Sequence, residues 1–130
     1  MQSPSNDIKD MLVADSSLGL IYANNLFIGK EPAKPRSCVT IYDTTGYPPS
    51  LTLDKQFYQK PSIQIRVRNE DYLEGMDLAQ EILLSLHSRA GETWNESLYT
   101  IIYCTSGPAL LDWDDNNNPR FFINFEIQRR

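Results

Sequence analysis

The stretch 61–91 constrains the fold more than any other, because the period of its apolar residues changes partway along it. In 61–69 (PSIQIRVRN), Ile63, Ile65 and Val67 alternate with Gln64, Arg66 and Arg68. Successive side chains of a strand point to opposite faces, so this is the pattern of a strand buried on one side. Beyond it, Tyr72, Met76, Ala79, Leu83 and Leu86, widened by Ile82, recur at three- and four-residue spacings and predict one long helix over about 70–90. Asn69 is the expected cap, and Glu70, Asp71 and Glu74 put negative charge at the positive end of the helix dipole. Gly91 supplies the stop. A strand and a helix joined so tightly share a core, and the rest of the chain reads as sheet or edge added to that unit.

The chain has 130 residues, 41% of them hydrophobic and 22% charged, which suits one soluble globular domain over 1–130 that needs no disulfide or metal to build its core. An extended loop or hairpin arm is expected at about 43–60. No apolar run approaches the roughly 20 residues of a membrane span, and no basic-then-apolar leader opens the chain, so it is expected in a cytoplasm and away from membranes. The net charge of −5 gives little support to a sequence-independent grip on DNA or RNA. Cys38 and Cys104 both stand in strand-like runs and read as buried free thiols rather than a disulfide.

Before the central unit, Ser5 or Asn6 can cap a short helix reaching about Ser17, carrying Ile8, Met11 and Leu12 and ended by Gly19. Residues 26–29 read as a short strand after the Asn24-Asn25 turn, and Pro32 and Pro35 forbid a helix beyond it. A β-branched strand is expected over 37–44, then a loop over 43–49 set by Gly46, Pro48 and Pro49, then an arm over 51–59. After the long helix, 97–105 reads as a central strand with Leu98, Thr100, Ile102 and Cys104 on one face and Tyr99, Ile101 and Tyr103 on the other. Ser106-Gly107-Pro108 is expected to break it before a short edge strand over 109–113, and 112–118 to turn into a last antiparallel strand over 120–128. The expected architecture is therefore α+β: a mostly antiparallel β-sheet with the one long helix packed across one face and the short N-terminal helix nearby.

Candidates for chemistry are few. His87, the only histidine, stands near a helix C-terminus, where a solvated or capping role suits it. Two distant cysteines and one histidine do not make a zinc site. The run 112–118 resembles a calcium loop, but Asn117 stands where glycine is needed and Ile123 where a bidentate glutamate is needed. Neither a phosphate loop nor a dinucleotide fingerprint is present, and no cofactor or metal is expected. What the composition offers is binding surface: seven tyrosines, two tryptophans and the proline-bracketed arm with Tyr47, Pro48, Leu51, Phe57 and Tyr58. Such aromatics serve a protein interface or pack on their own domain, and the sequence leaves both open.

Taken together, several short pieces resemble the small minor capsid proteins of tailed bacteriophages, the group of tail-terminator, tail-completion and neck proteins. They are Asn25-Leu26-Phe27-Ile28-Gly29, Pro32 and Pro35, Val39-Thr40-Ile41-Tyr42-Asp43 with Gly46 and Pro48-Pro49, the run from Pro61 to Arg68, Tyr72 with its helix, and Asn124-Phe125-Glu126. The resemblance implies a non-enzymatic virion protein of a long, non-contractile tail, assembled in the host bacterial cytoplasm. It implies a homo-oligomeric ring, usually a hexamer, that caps the tail tube protein and docks a head-tail connector or stopper protein while DNA passes through the lumen. On that reading Arg66, Arg68, Arg129 and Arg130 face an interface or the lumen, beside the aromatic arm. The alternative is a small cytoplasmic ligand-binding or enzymatic α+β protein with a pocket between helix and sheet lined by Glu70, Asp71 or His87.

Overall fold

The computed structural model of the chain describes residues 2–51 and 57–130. Its elements meet in one sheet-and-helix core. The chain order is α1 (Pro4–Ala14), a 3-10 turn at Ser16–Leu18, β1 (Leu26–Ile28), β2 (Cys38–Leu51), β3 (Phe57–Arg68), α2 (Tyr72–Leu86), β4 (Glu92–Trp94), β5 (Ser97–Trp113) and β6 (Pro119–Arg129). The strands form one sheet in the order β1-β2-β3-β6-β5-β4. β1 runs parallel to β2, and the other pairs are antiparallel.

Period-two alternation builds the inner face. Ile63, Ile65 and Val67 of β3 are buried, as are Phe121, Ile123, Phe125 and Ile127 of β6, with Val39 and Ile41 of β2 beside them. Each such side chain contributes about 1.5–3 kcal/mol by leaving water. Ile8, Met11 and Leu12 of α1 and Ala79, Ile82 and Leu86 of α2 close the same core.

One expectation for the architecture is overturned. No single long helix crosses the sheet: the fold is mostly β, a curled mixed sheet with two short helices. α1 has 11 residues and lies over β1, β2 and β3, whereas α2 has 15 and lies over β3, β6 and β5. α2 is short for local reasons. Asp71 is its N-cap and accepts from the Glu74 amide, while the Asn69 side chain accepts from the Asp71 amide, so the helix begins at Tyr72. At the other end His87 turns extended and its ring Nδ1 accepts from the Cys104 amide at 3.0 Å, which draws the chain onto β5 before a further turn can form. Close packing on β6 depends on Gly75, where a Cβ would stand 2.7 Å from Phe121 Cε2.

The expected loop at 43–49 is instead strand. β2 runs through Gly46 and the two prolines to Leu51, with register shifts between Thr44 and Tyr47 and between Tyr47 and Ser50. Gly46 is obligatory there, since a Cβ would meet Lys60 O at 2.2 Å. Likewise Ser106-Gly107-Pro108 does not end β5, which absorbs these residues as irregularities against β6. β5 is next to the edge rather than central, and β6 lies between it and β3. A further shift between Tyr99 and Ile101 places Tyr99 opposite Arg129 and Ile102 opposite Ile127, so the two share the inner face despite their spacing. Bulges increase local twist, and their repetition along β5 accounts for the curl of the sheet.

Candidate functional site

The face of the sheet turned away from the helices carries a run of polar side chains across four strands. Tyr42, Gln64, Asn124 and Ser106 are successive partners from β2 to β5. Gln64 Nε2 donates to Asn124 Oδ1 at 3.0 Å, and Asn124 Nδ2 donates to Ser106 Oγ at 2.7 Å. Arg66 Nε donates to Gln64 Oε1 at 2.7 Å, and its guanidinium lies 4.9 Å from the centre of the Tyr42 ring. Beside them Tyr103 donates to Glu126 Oε2 at 2.7 Å, and this bond to a carboxylate pushes the phenol pKa up. These hydrogen bonds hold a half-buried polar surface in a fixed shape.

The arginines expected on an interface separate into different environments. Arg66 lies on this open face, as described. Arg68, only 5% exposed, turns into the loop between β1 and β2. It donates to Glu31 Oε1 at 2.8 Å, to the carbonyls of Pro32 and Pro35 at 2.7 Å each, and to that of Arg36 at 2.9 Å. Arg120 joins the same carboxylate at 3.2 Å while gripping Asp112 with two nitrogens. Arg129 is buried under α1, donating to Asp7 Oδ2 at 3.1 Å, Gln59 Oε1 at 2.9 Å and Tyr99 Oη at 3.2 Å. Tyr99 also donates to Asp7, and Asn95 supplies a further donor to Asp7 at 2.7 Å. Arg130 pairs through its backbone with Leu98.

In the arm, Tyr47 is 63% exposed and Pro48 is exposed. Ser50 pairs with Tyr58 and Leu51 with Phe57 through the backbone, whereas the side chains of Leu51, Phe57 and Tyr58 lie outside the described residues. The arm therefore leaves the sheet as a two-stranded ribbon beyond the end of β6, whose last partner in β3 is Gln59.

Glu70, Asp71 and His87 do not converge on a cleft: the two acids are exposed at the start of α2 and His87 stands beyond its other end. A groove of ≈ 290 Å³ lies elsewhere, lined by Asp15, Ser17, Glu81, Leu84 and Ser85. Among the described residues no three metal-ligating side chains converge. Asp114 instead spends its oxygens on the turn, accepting from the Asn116 amide at 2.9 Å and the Asn118 amide at 2.8 Å. Cys38 and Cys104 are free, and burial pushes both thiol pKa values up.

Sequence reading missed the role of Asp7 and the inward turn of Arg129. A signal for the second existed, since Arg129 continues the alternation of Phe121, Ile123, Phe125 and Ile127. No such signal marked Arg68, whose partners are four loop carbonyls 32–36 residues away and the Glu31 carboxylate 37 residues away.

Three comparisons bear on this architecture. The model of the family described as bacteriophage tail terminator protein matches residues 6–130. A solved structure titled "Virion of native gene transfer agent (GTA) particle" contains a chain of the same fold, with a TM-score of 0.70 and 10% identity, covering 98% of this chain and 94% of that one. No curated protein sequence matches.

Proposed function

Because this chain belongs to the bacteriophage tail terminator family, we propose that it ends tail growth by closing as a homo-oligomeric ring on the last layer of the tail tube. The chain is a structural protein of a phage tail. On our reading the ring is a hexamer, is assembled in the host cytoplasm, performs no catalysis, and offers its far side to a head connector or stopper protein. DNA crosses its lumen without being held, in keeping with a net charge of −5.

The match over residues 6–130 carries this reading. Two features of the molecule support it. An isolated two-stranded ribbon is marginal in water, so the β2–β3 arm with its exposed Tyr47 and Pro48 is suited to lying on a neighbour. The open face presents Arg66 in a fixed orientation over Tyr42, which suits a repeated docking contact. Arg68 and Arg129 then act within each subunit, holding the shape that the ring uses.

The test is electron microscopy of purified tail tubes mixed with the protein, beside light scattering over a concentration series. Capped tubes of uniform length are expected, and the Arg66→Glu chain should remain folded yet cap poorly. A chain that stays monomeric in solution and never caps tubes would refute the proposal.

A further inference from the structure

We infer that neighbouring copies of this chain meet front to back at one end of the sheet, the basic loop 29–37 of one copy seated on an acid-rimmed aromatic patch of the next. This inference rests on the ring reading above and names its contact.

The patch is made by a bulge. Leu110 and Trp113 are three residues apart, a spacing that puts side chains on opposite faces of a regular strand. The register shift between Leu110 and Asp112 leaves Leu110 opposite Phe121 and Trp113 opposite Pro119, and both point to the helix side. There the Tyr72 ring stacks on Trp113 with centroids 6.3 Å apart and meets Phe121 edge-on at 5.0 Å. Trp113 is nonetheless 54% exposed, Tyr72 39% and Leu110 38%. Tyr72 links Trp113 to the buried Phe121, and among the described residues these three side chains stay partly open. The segments that carry them, 69–77 and 109–118, contain no lysine or arginine. They contribute Glu70, Asp71, Glu74, Asp77 and Asp115 around the rim, so the patch suits a cationic occupant and repels phosphate.

The chain carries such an occupant. Loop 29–37 lies on the opposite face, fastened by the buried Arg68 to three of its carbonyls and to Glu31, and by Arg36 to Asn118 at 2.7 Å. It exposes Lys30, Ala33 and Lys34, and among the described residues neither lysine forms an ion pair. A loop held this rigidly loses little entropy on docking. The register Cys38–Arg68–Arg120–Asp112 puts loop and patch at the same end of the sheet. Stacking copies face to back therefore brings the lysines of one over the rim acids of the next, with their aliphatic stems along Trp113 and Tyr72. The contact is heterologous, and a constant rotation between copies closes it into a ring.

The experiment measures ring formation by light scattering and on tail tubes for four full-length chains: wild type, Lys30→Glu/Lys34→Glu, Glu74→Lys/Asp115→Lys, and the chain carrying all four changes. Circular dichroism melts establish that each is folded, and Trp113→Ala provides an uncharged probe of the same patch. Each double reversal and Trp113→Ala should weaken the ring at least tenfold, and the fourfold chain should regain most of that loss. Rings unaffected by the double reversals, or a fourfold chain no better than either, overturn the inference while leaving the ring reading intact. Intact rings that no longer attach to tubes overturn it too and assign the patch to another tail protein. A wild-type chain that forms no ring on any tube refutes the ring reading itself.

Discussion

Arg66 and Arg68 stand two positions apart on β3 and point to the same side, yet their surroundings give them opposite roles. Arg66 rests on Tyr42 at the open face, while Arg68 is enclosed by a loop whose carbonyls accept from its guanidinium. Removing Arg68 takes the shorter of two charged donors from the Glu31 carboxylate, which is left with Arg120 at 3.2 Å, and takes the same guanidinium from four loop carbonyls. Arg68→Ala should therefore cost about 3–5 kcal/mol in urea unfolding, against less than about 1 kcal/mol for Arg66→Ala. Equal losses would contradict the distinction. Tyr99 supports a second prediction. Burial, and then its hydrogen bond to Asp7, raise its pKa above the ordinary 10.0, so the folded chain holds this proton more tightly than the unfolded one. Its contribution is complete below pH 10.0 and is lost as the pH rises beyond it. Unfolding free energy should fall with pH above that point, and Tyr99→Phe, though less stable at neutral pH, should show a shallower fall.

At the scale of elements, regular alternation could be read from the sequence and bulges could not. β6 alternates without interruption, so the period-two spacing of Phe121, Ile123, Phe125 and Ile127 matches the buried face, to which Pro119 and Arg129 also belong. β5 has the composition of a strand, but its extra residues change which side chains share a face, and only pairing with β6 shows where they fall. Gly46 and Gly107 read as breakers for the same reason. Each instead marks a close approach, where a Cβ would stand 2.2 Å from Lys60 O at Gly46 and 2.3 Å from Phe122 O at Gly107. Deleting Leu111 should remove the last bulge yet keep Leu110 opposite Phe121 and Trp113 opposite Pro119, because the two then stand two positions apart on a regular strand and share the helix side. The ring-current shifts of Tyr72 in a proton spectrum should then persist, and their collapse would show that the pair depends on the bulge itself. The helices follow the same division, since the apolar stripe located α2 while the position of its cap and its C-terminal tie to β5 set its length.

For the whole molecule, the arm's described side chains Tyr47 and Pro48 are exposed, while the described core is built on the sheet, the two helices and the segment between α1 and β1. Replacing 47–58 with a two-residue Asn-Gly turn should leave stability within about 1 kcal/mol by thermal melting. The same chain should fail to cap tail tubes in the electron microscope, and normal capping would remove the arm from the assembly surface. Membership of the tail terminator family was visible in short stretches of sequence because turns, prolines and alternating strands are local, and local chemistry determines them. The sequence likewise sufficed to show which residues are apolar and that a strand leads into a helix. Which arginine is a strut and which lies open, which of the two helices covers which strands, and how Leu110 comes to share a face with Trp113 depend on partners distant along the chain. A side chain's burial is decided by what packs over it, so those answers exist only once the sheet has curled and the helices have packed on it.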